Sequence, residues 1–259
     1  MGLTSSKQNE SFSSPERPPL SGQAALEALQ RAESIDNYRT LVSQSTVNRL
    51  ARAGQTYLPA VHSVSIAIPE ADPEQPWPNG QVLWMSATAD AGLPHTRAPY
   101  YICLPLNINR DSLAKTMLHE RVHVSQRMFP EPWKHLLKTA WSMIPWFGIL
   151  PEEHEARRRI NPDLLGAPLF IWKNTWVVFA VFHSSSKPSL PDIQVVWWDK
   201  TTNTLHRQAP KEWVSYFGNN PAGEHPYEIA AYLIAEGDSN TTPAYTDLKP
   251  HIKMLPSEV

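Results

Sequence analysis

The sequence predicts one α+β domain, in which a small mixed sheet and a buried helix precede a β-rich insertion and a closing helix. The 259 residues are 41% hydrophobic, which is enough to fill a real core. Apolar residues recur at helical spacing in some segments, and β-branched and aromatic residues cluster in others. The 25 Pro and 10 Trp indicate rigid turns and aromatic-rich packing rather than long uninterrupted helices.

Residues 1–21 are predicted to be a disordered tail, because they are rich in Ser, Pro, Glu and Gln and have almost no apolar residues. The chain begins Met-Gly-Leu-Thr-Ser-Ser, which matches the pattern for N-myristoylation of Gly2. A single acyl chain gives only weak, reversible membrane attachment. The segment around Trp141, Trp146 and Phe147 is a candidate for the second contact. The alternatives are an unmodified tail and aromatic side chains that pack in the core.

The folded domain, residues 22–254, is predicted to begin with two helices. The second covers residues 37–54, with Leu41, Val47 and Leu50 facing inward. Helical patterns also appear at the motif described below, in two pieces over residues 133–160, and at Pro226–Glu236, which is the last strong element. Strand patterns cover residues 61–68, 81–87, 99–106, 170–182 and 193–198, and the last two belong to a β-rich insertion at about residues 168–215.

Charge and targeting signals limit the function classes. The chain has 23 Lys plus Arg against 25 Asp plus Glu and no basic run, which argues against nucleic acid as a partner. Its single cysteine, Cys103, excludes an intramolecular disulfide framework. The amino-terminal residues have no apolar signal segment, and no apolar stretch has the length of a bilayer span. We therefore expect a cytoplasmic protein, with membrane association through lipidation of Gly2 as the open addition.

The strongest motif is His119-Glu120-Arg121-Val122-His123. Residues four apart lie on one helix face, so both histidines can direct nitrogens to one Zn²⁺ ion, and Glu120 sits about 100 degrees round the helix. Glu120 is then placed to take a proton from a zinc-activated water. The surrounding apolar residues predict a buried helix, which Asn109 or Asp111 can cap. Arg121 stands at a position that is usually uncharged, so we expect its side chain to reach solvent or a carboxylate.

The third metal ligand must come from elsewhere, because no third histidine follows the motif at close spacing. Glu228 is the preferred candidate, since a carboxylate in the first turn of an apolar helix needs compensation. Glu155 is its rival, although it stands among arginines in a pattern typical of a solvated face. Glu236 and His154 are further alternatives.

The segment His119-Glu-Arg-Val-His-Val-Ser-Gln126 resembles gluzincin-type zinc metallopeptidases, in which a later Pro-x-Glu-x-x-Ala-Tyr segment supplies a glutamate ligand. Pro226–Tyr232 matches that second segment. The resemblance implies a zincin-like domain in which His119, His123 and Glu228 bind zinc and Glu120 is the general base. It covers only these two short segments, and the β-rich insertion between them has no counterpart in it.

The sequence therefore predicts a zinc metallopeptidase that acts on a peptide or protein substrate. Tyr232, one turn after Glu228, is a candidate for oxyanion stabilisation, with packing as the alternative. His95 and Arg97 are candidates for lining the cleft, with a surface turn as the alternative. Residues 100–104 are a candidate for an edge strand that pairs with an extended peptide. The competing hypothesis is a catalytically silent, zincin-like, membrane-tethered interaction or structural protein.

Overall fold

The computed structural model describes residues 18–70, 77–219 and 223–256 of the chain, so Gly2 and most of the predicted tail lie outside the described residues. The helices are α1 (Gly22–Asp36), α2 (Tyr38–Gln44), α3 (Thr46–Ala51), α4 (Leu113–Met128), α5 (Pro130–Trp141), α6 (Glu152–Glu155), α7 (Lys211–Phe217), α8 (Pro226–Glu236) and α9 (Pro243–Ile252). The strands are β1 (Gln81–Met85), β2 (His95–Arg97), β3 (Tyr101–Pro105), β4 (Met143–Trp146), β5 (Leu169–Trp172), β6 (Trp176–Phe182), β7 (Ile193–Asp199) and β8 (Thr204–His206). This mixture of helices and small sheets is compatible with the predicted α+β class. Within the described part of the chain, no helix combines the length and the apolar character needed to cross a membrane.

The first sheet is mixed, as predicted, and has three strands in the order β1-β3-β2. β3 is parallel to β1 and antiparallel to β2. Alternate residues of β1 and β3 face opposite sides: Leu83 and Cys103 pack against α1, whereas Trp84 and Leu104 pack against α4. Strands that are covered on both faces carry continuous apolar runs, which explains the composition of these two strands. α4, which follows β3, is therefore packed between this sheet and the rest of the core.

Both outer edges of this sheet are occupied. The expectation that residues 100–104 form a peptide-binding edge is wrong, because β3 is the central strand of the sheet. On the outer side of β2, the backbone N–H of Thr96 donates to the Asp163 carboxylate at 2.5 Å. On the outer side of β1, the N–H of Trp84 donates to the Leu20 carbonyl at 2.9 Å. An extended peptide therefore has no free backbone edge to join here.

Residues 61–68 do not form the predicted strand. The N–H of Ala60 already donates to the carbonyl of Trp84 at 2.7 Å, so the outer edge of β1 is used before residue 61 is reached. Ile66 and Ile68 still pack against the α4 side of the sheet. The alternation of apolar residues marks a segment with one buried face, but the segment has no neighbouring strand to pair with.

The predicted helix over residues 37–54 is divided into α2 and α3. Ser45 has an extended backbone and its hydroxyl accepts from the N–H of Asn48, which caps α3. Serine is favoured at such a cap because its side chain satisfies an otherwise unpaired backbone donor. Leu41 and Leu50, which were expected to face inward, are exposed. The local capping preference therefore outweighs the longer apolar pattern.

Proline has different effects along residues 130–151. Pro130 follows the end of α4 and begins α5, because the first helical position needs no backbone N–H. Pro145 lies in β4, which is the edge strand of the second sheet, where a missing donor is tolerated. Of the two helical pieces predicted within residues 133–160, the first corresponds to α5, and the second is reduced to the single turn of α6, with β4 between them.

The second sheet is antiparallel, with five strands in sequence order from β4 to β8. Four of these strands come from the predicted insertion, residues 168–215, and β4 comes from outside it. The apolar run at residues 170–182 reverses at Lys173 and Asn174, which both have positive φ angles and form the hairpin between β5 and β6. Residues 200–203 form the turn that joins β7 to β8.

Tryptophan side chains fill the space between this sheet and the neighbouring helices. Trp133, Trp172 and Trp213 are buried in one core together with residues of α8 and α9. The indole N–H of Trp141 donates to the carbonyl of Ala244 in α9 at 2.9 Å. α9 follows the helix that was expected to be the last strong element, so that expectation is wrong. This aromatic core packs against residues of α8.

Candidate metal centre

α4 carries the His-Glu-x-x-His motif, and its packing against α8 brings the two predicted ligand segments together. Before α4, the Asn109 side chain accepts from the backbone N–H of Asp111 at 3.0 Å and thereby caps the short 3-10 turn Arg110–Ser112. The N-cap position of α4 itself is Ser112, so neither predicted residue caps α4 directly. α8 has the predicted bounds, and His225 Nδ1 accepts from the N–H of Tyr227 at its start. Glu228 consequently lies in the first turn of α8, where its carboxylate faces the motif.

Three side chains converge on one point. Nε2 of His119 and Nε2 of His123 are 3.0 Å apart, and Glu228 Oε2 lies 3.4 Å from each of them. Ligand atoms placed 2.0–2.1 Å from a tetrahedral zinc ion are separated by about 3.3 Å. Among the described residues, these three form the group of histidine and carboxylate side chains whose ligand atoms lie within metal-binding distance of one another. The spacing therefore fits a single small cation.

Gln126 determines which nitrogen of His123 faces this point. Its amide nitrogen donates to the Tyr227 carbonyl at 3.0 Å, so its oxygen must face the imidazole. That oxygen lies 2.7 Å from His123 Nδ1, which therefore carries the proton. The lone pair of Nε2 is left directed towards His119 and Glu228. A hydrogen bond to the distal nitrogen of this kind fixes the tautomer and orientation of metal-binding histidines.

The Glu228 carboxylate is supported, at the oxygen that does not face the histidines, by a group formed by Asn161, Glu224 and Arg159. The Asn161 amide donates to Glu228 Oε1 at 2.7 Å and to Glu224 Oε1 at 2.5 Å. Arg159 pairs with the same Glu224 oxygen at 2.8 Å. Because Oε1 is occupied in this way, Oε2 is the oxygen that faces the histidines. This supporting group was missed in the sequence analysis.

Glu120 faces a cavity of about 420 Å³ that opens beside the three converging side chains. Its Oε2 atom is buried and has no hydrogen-bond partner among the described residues. Burial and the neighbouring Asp163 carboxylate raise the pKa of Glu120 well above its ordinary value. A buried polar atom without a partner is rare in folded proteins, so this oxygen is available for a ligand or water in the cavity.

The ionisable groups at the centre favour the binding of a cation. Burial lowers the pKa of His123, but the Glu228 carboxylate outweighs it and raises the pKa to about 10. Burial raises the pKa of Glu228, but the two histidines hold it well below its ordinary value. Without a metal, the group thus retains a proton that a positively charged ion would replace. Four carboxylates and two cationic side chains line the cavity: Glu120, Asp163, Glu224, Glu228, Lys115 and Arg159.

The alternative ligands lie elsewhere. Glu155 is exposed and pairs with Arg158 at 2.7 Å, as expected for a solvated face. Glu236 lies at the end of α8 and pairs with Lys115 at 3.5 Å. His154 packs its ring against β6. The structure thus places Glu228 beside the motif and the other three candidates away from it.

Of the other candidates, Tyr232 reaches the site. Its ring packs edge-on against His119 with 4.6 Å between centroids, and the residue lines the cavity. Arg97 does not line the cleft: it is fully buried and forms an ion pair with Asp36 at 2.7 Å. His95 is likewise buried in the sheet, where its Nε2 lies 2.7 Å from the Tyr57 hydroxyl. Both expected cleft residues instead hold β2 in place.

Arg121 is buried, which contradicts the solvent position that was one of its two expected environments. Its guanidinium donates to the carbonyl of Pro69 at 2.8 Å. The charged residue inside the motif therefore lies on the face of α4 turned towards residues 66–69, away from the converging side chains.

Comparisons of the chain with protein-family models, curated proteins and solved structures find no match. The description of this centre therefore rests on its geometry alone. Asn161, Asp163, Glu224 and Arg159 carried no motif in the sequence. No local signal singled them out, because Arg159 ends a run of three arginines and the other three stand in short segments that contain proline and polar residues.

Proposed function

We propose that this chain is a zinc-dependent peptidase. The observation that carries the proposal is the triangle formed by His119, His123 and Glu228, next to a cavity lined by Glu120, whose Oε2 atom has no hydrogen-bond partner among the described residues. Three protein ligands and an accessible side are typical of catalytic rather than structural zinc sites. The short resemblance to gluzincin-type metallopeptidases supports the same assignment.

Zinc is the metal that suits this donor set best. Two imidazole nitrogens and one carboxylate are common zinc ligands, whereas calcium and magnesium prefer oxygen ligands alone. The second layer of partners agrees with this choice. Gln126 orients His123 and Asn161 orients Glu228, and both contacts are made by buried side chains. The ligands are thus held in position before any ion arrives, which favours a defined coordination geometry.

Zinc held by these ligands would polarise a substrate carbonyl and increase the acidity of water. The chain supplies the remaining functions. Glu120 would take the proton from the attacking water and pass it to the leaving amine, since its side chain lines the cavity and its Oε2 atom has no hydrogen-bond partner among the described residues. Tyr232 borders the same cavity and would donate its hydroxyl to the developing oxyanion. Burial, joined by the nearby Glu228, raises the pKa of Tyr232 to about 12, so the hydroxyl stays protonated at neutral pH.

The cavity suits part of a peptide chain. Its lining includes five apolar residues beside the polar ones: Leu93, Pro94, Leu190, Ile193 and Val195. Apolar lining next to convergent polar groups is typical of sites that bind part of a larger molecule. We therefore propose a peptide or protein substrate, bound through side chains and not by addition of a strand to a free sheet edge.

The test compares the full-length chain with Glu120→Gln. We expect the wild type to contain zinc and to cleave members of a broad peptide library, and Glu120→Gln to keep the zinc but lose cleavage, because the amide cannot accept the proton. Glu131→Gln, which changes an exposed glutamate of α5, is the matched control and should retain both properties. A wild-type chain that binds zinc but cleaves nothing would favour the alternative, a silent zincin-like interaction protein tethered to a membrane.

A further inference from the structure

The loop after β4 exposes apolar side chains that the metal centre does not use. Phe147 is 81% exposed and Ile149 is 91% exposed, which are the highest values among the large apolar residues that the structure describes. Both belong to an uncharged run of thirteen residues from Thr139 to Pro151. We call residues 147–149 the apolar tip.

The apolar tip is held rigidly from both ends. Before it, Trp146 pairs in the sheet with Leu169 and packs its ring edge-on against Trp198, with 5.4 Å between centroids. After it, Leu150 is buried against the face of the second sheet. Between them, Gly148 lies so close to the Trp146 indole that an added Cβ atom would overlap the ring. The two exposed side chains therefore project from a fixed turn, and little conformational entropy is lost when they are buried.

We propose that the apolar tip inserts into the surface of a lipid bilayer. Side chains that are this exposed project outward, which suits insertion into a fluid apolar layer. Trp146 stands at the base of the tip, and tryptophan is favoured at the depth of the lipid headgroups. The sequence pattern at Gly2 points to the same partner independently, since a single acyl chain needs a second contact for stable attachment. The tip supplies that contact.

The recognised surface is the apolar layer and not a negatively charged headgroup. Directly after the tip, Glu152 and Glu153 are exposed, and no Lys or Arg occurs between residues 139 and 151. Attraction to anionic lipids depends on clustered lysine and arginine side chains near the membrane. We therefore expect vesicles of phosphatidylcholine alone to bind the protein, and added phosphatidylserine not to strengthen binding.

The sequence alone allows Trp141, Trp146 and Phe147 either to pack in the core or to contact a membrane. The structure separates them. Trp141 is buried in the main core, and Trp146 is partly buried on the second sheet. Of the three, Phe147 alone projects from the surface, and it is joined there by Ile149, which the sequence analysis did not name.

The first experiment locates the contact with a fluorophore. Cys103 is fully buried, so a cysteine introduced by Phe147→Cys can be labelled selectively with an environment-sensitive dye on the unmodified full-length chain. Val61→Cys is the matched control, because Val61 is an apolar residue of similar exposure, 78%, at a different place in the chain. We expect phosphatidylcholine vesicles to shift the emission of the dye at position 147 to the blue and to leave the dye at position 61 unchanged. Equal responses at both positions, or none at 147, overturn the proposal.

The second experiment measures binding by sedimentation with vesicles. Insertion of one phenylalanine or isoleucine side chain strengthens partitioning by roughly tenfold to a hundredfold. The double variant Phe147→Ser and Ile149→Ser should therefore reduce the partition coefficient by roughly a hundredfold or more. The control, Val61→Ser with Met254→Ser, removes two comparably exposed apolar residues and should change it little. Undiminished binding in the double variant, or binding that requires phosphatidylserine, overturns the proposal. A double variant that loses a dimer of the protein instead of vesicle binding also overturns it, because the tip would then contact a second copy of the chain. All these readouts are independent of peptidase activity.

Discussion

Gln126 offers a sharp test of how the metal centre is built. It lies one turn after His123 and is 1% exposed. Replacement by methionine keeps the length and apolar volume of the side chain but removes both of its hydrogen bonds. His123 Nδ1 then loses its acceptor, and the Tyr227 carbonyl loses its donor. Both tautomers of His123 become accessible, and in one of them Nε2 carries a proton and cannot bind a metal.

The size of the effect follows from these two contacts. Loss of a partner for the distal nitrogen of a metal-binding histidine weakens metal affinity by about 10- to 100-fold. The same substitution leaves the buried Nδ1–H of His123 without a partner, which costs about 1–3 kcal/mol, whereas the Tyr227 carbonyl keeps its position in the hydrogen-bond ladder of α8. We therefore expect Gln126→Met to lower both zinc affinity and the free energy of unfolding of the metal-free chain.

The assay is competition with a chromophoric chelator, combined with urea unfolding of metal-free protein. Gln81→Met provides the control. Gln81 is also buried and donates to the Pro18 carbonyl at 2.7 Å, but it lies in β1, away from the centre. It should lose stability without losing zinc affinity. If Gln126→Met binds zinc as tightly as the wild type, the assignment of the His123 tautomer is refuted.

Three further predictions concern single residues. We expect Asn161→Ala to weaken zinc binding by about tenfold to a hundredfold in the same chelator assay, because Glu228 Oε1 loses its 2.7 Å donor. Tyr232→Phe should keep zinc and lower kcat by roughly 10²–10³ with little change in KM, as expected for a lost oxyanion donor in peptide cleavage assays. Burial raises the pKa of Asp90, but the pairing with Arg52 outweighs it and lowers the pKa to about 2 from an ordinary value of 3.8. The resulting stabilisation is present above about pH 4 and is lost as the pH falls towards 2, so Asp90→Asn should cost about 2 kcal/mol at neutral pH and little at pH 2 in urea unfolding.

Each of these predictions has an outcome that contradicts it. Unchanged zinc affinity in Asn161→Ala would show that Glu228 needs no support from behind. An unaltered kcat in Tyr232→Phe would reduce the role of Tyr232 to packing against His119. A cost for Asp90→Asn that is the same at pH 2 and pH 7 would show that the carboxylate acts through its shape and not through its charge.

The sequence predicted the elements whose signals are local. α8 was predicted with its observed bounds because Pro226 and Gly237 mark its two ends. Residues 61–68 were misassigned because alternation records which face is buried, whereas a strand also requires a free neighbouring edge. The exclusion of residues 100–104 as an edge is likewise a property of strand order, which no local pattern contains.

The site was predictable to the same extent. Helical geometry alone places His119 and His123 on one face, and the apolar surroundings of Glu228 indicated a compensated carboxylate. Asn161 and Glu224 could not be predicted, because their roles depend on how a loop over residues 159–163 meets the start of α8. Arg97 was misassigned for a related reason. Its partner Asp36 lies sixty-one residues earlier in the chain, and this ion pair forms only when α1 packs on the sheet.

The central claim is that His119, His123 and Glu228 together hold the metal, and zinc content tests it most directly. The measurement is bound zinc per chain, by elemental analysis, for the wild type, Glu228→Gln and the control Glu155→Gln, all prepared identically. We expect equimolar zinc in the wild type and in Glu155→Gln, and almost none in Glu228→Gln. Full zinc occupancy in Glu228→Gln, or its loss in Glu155→Gln, would contradict the account.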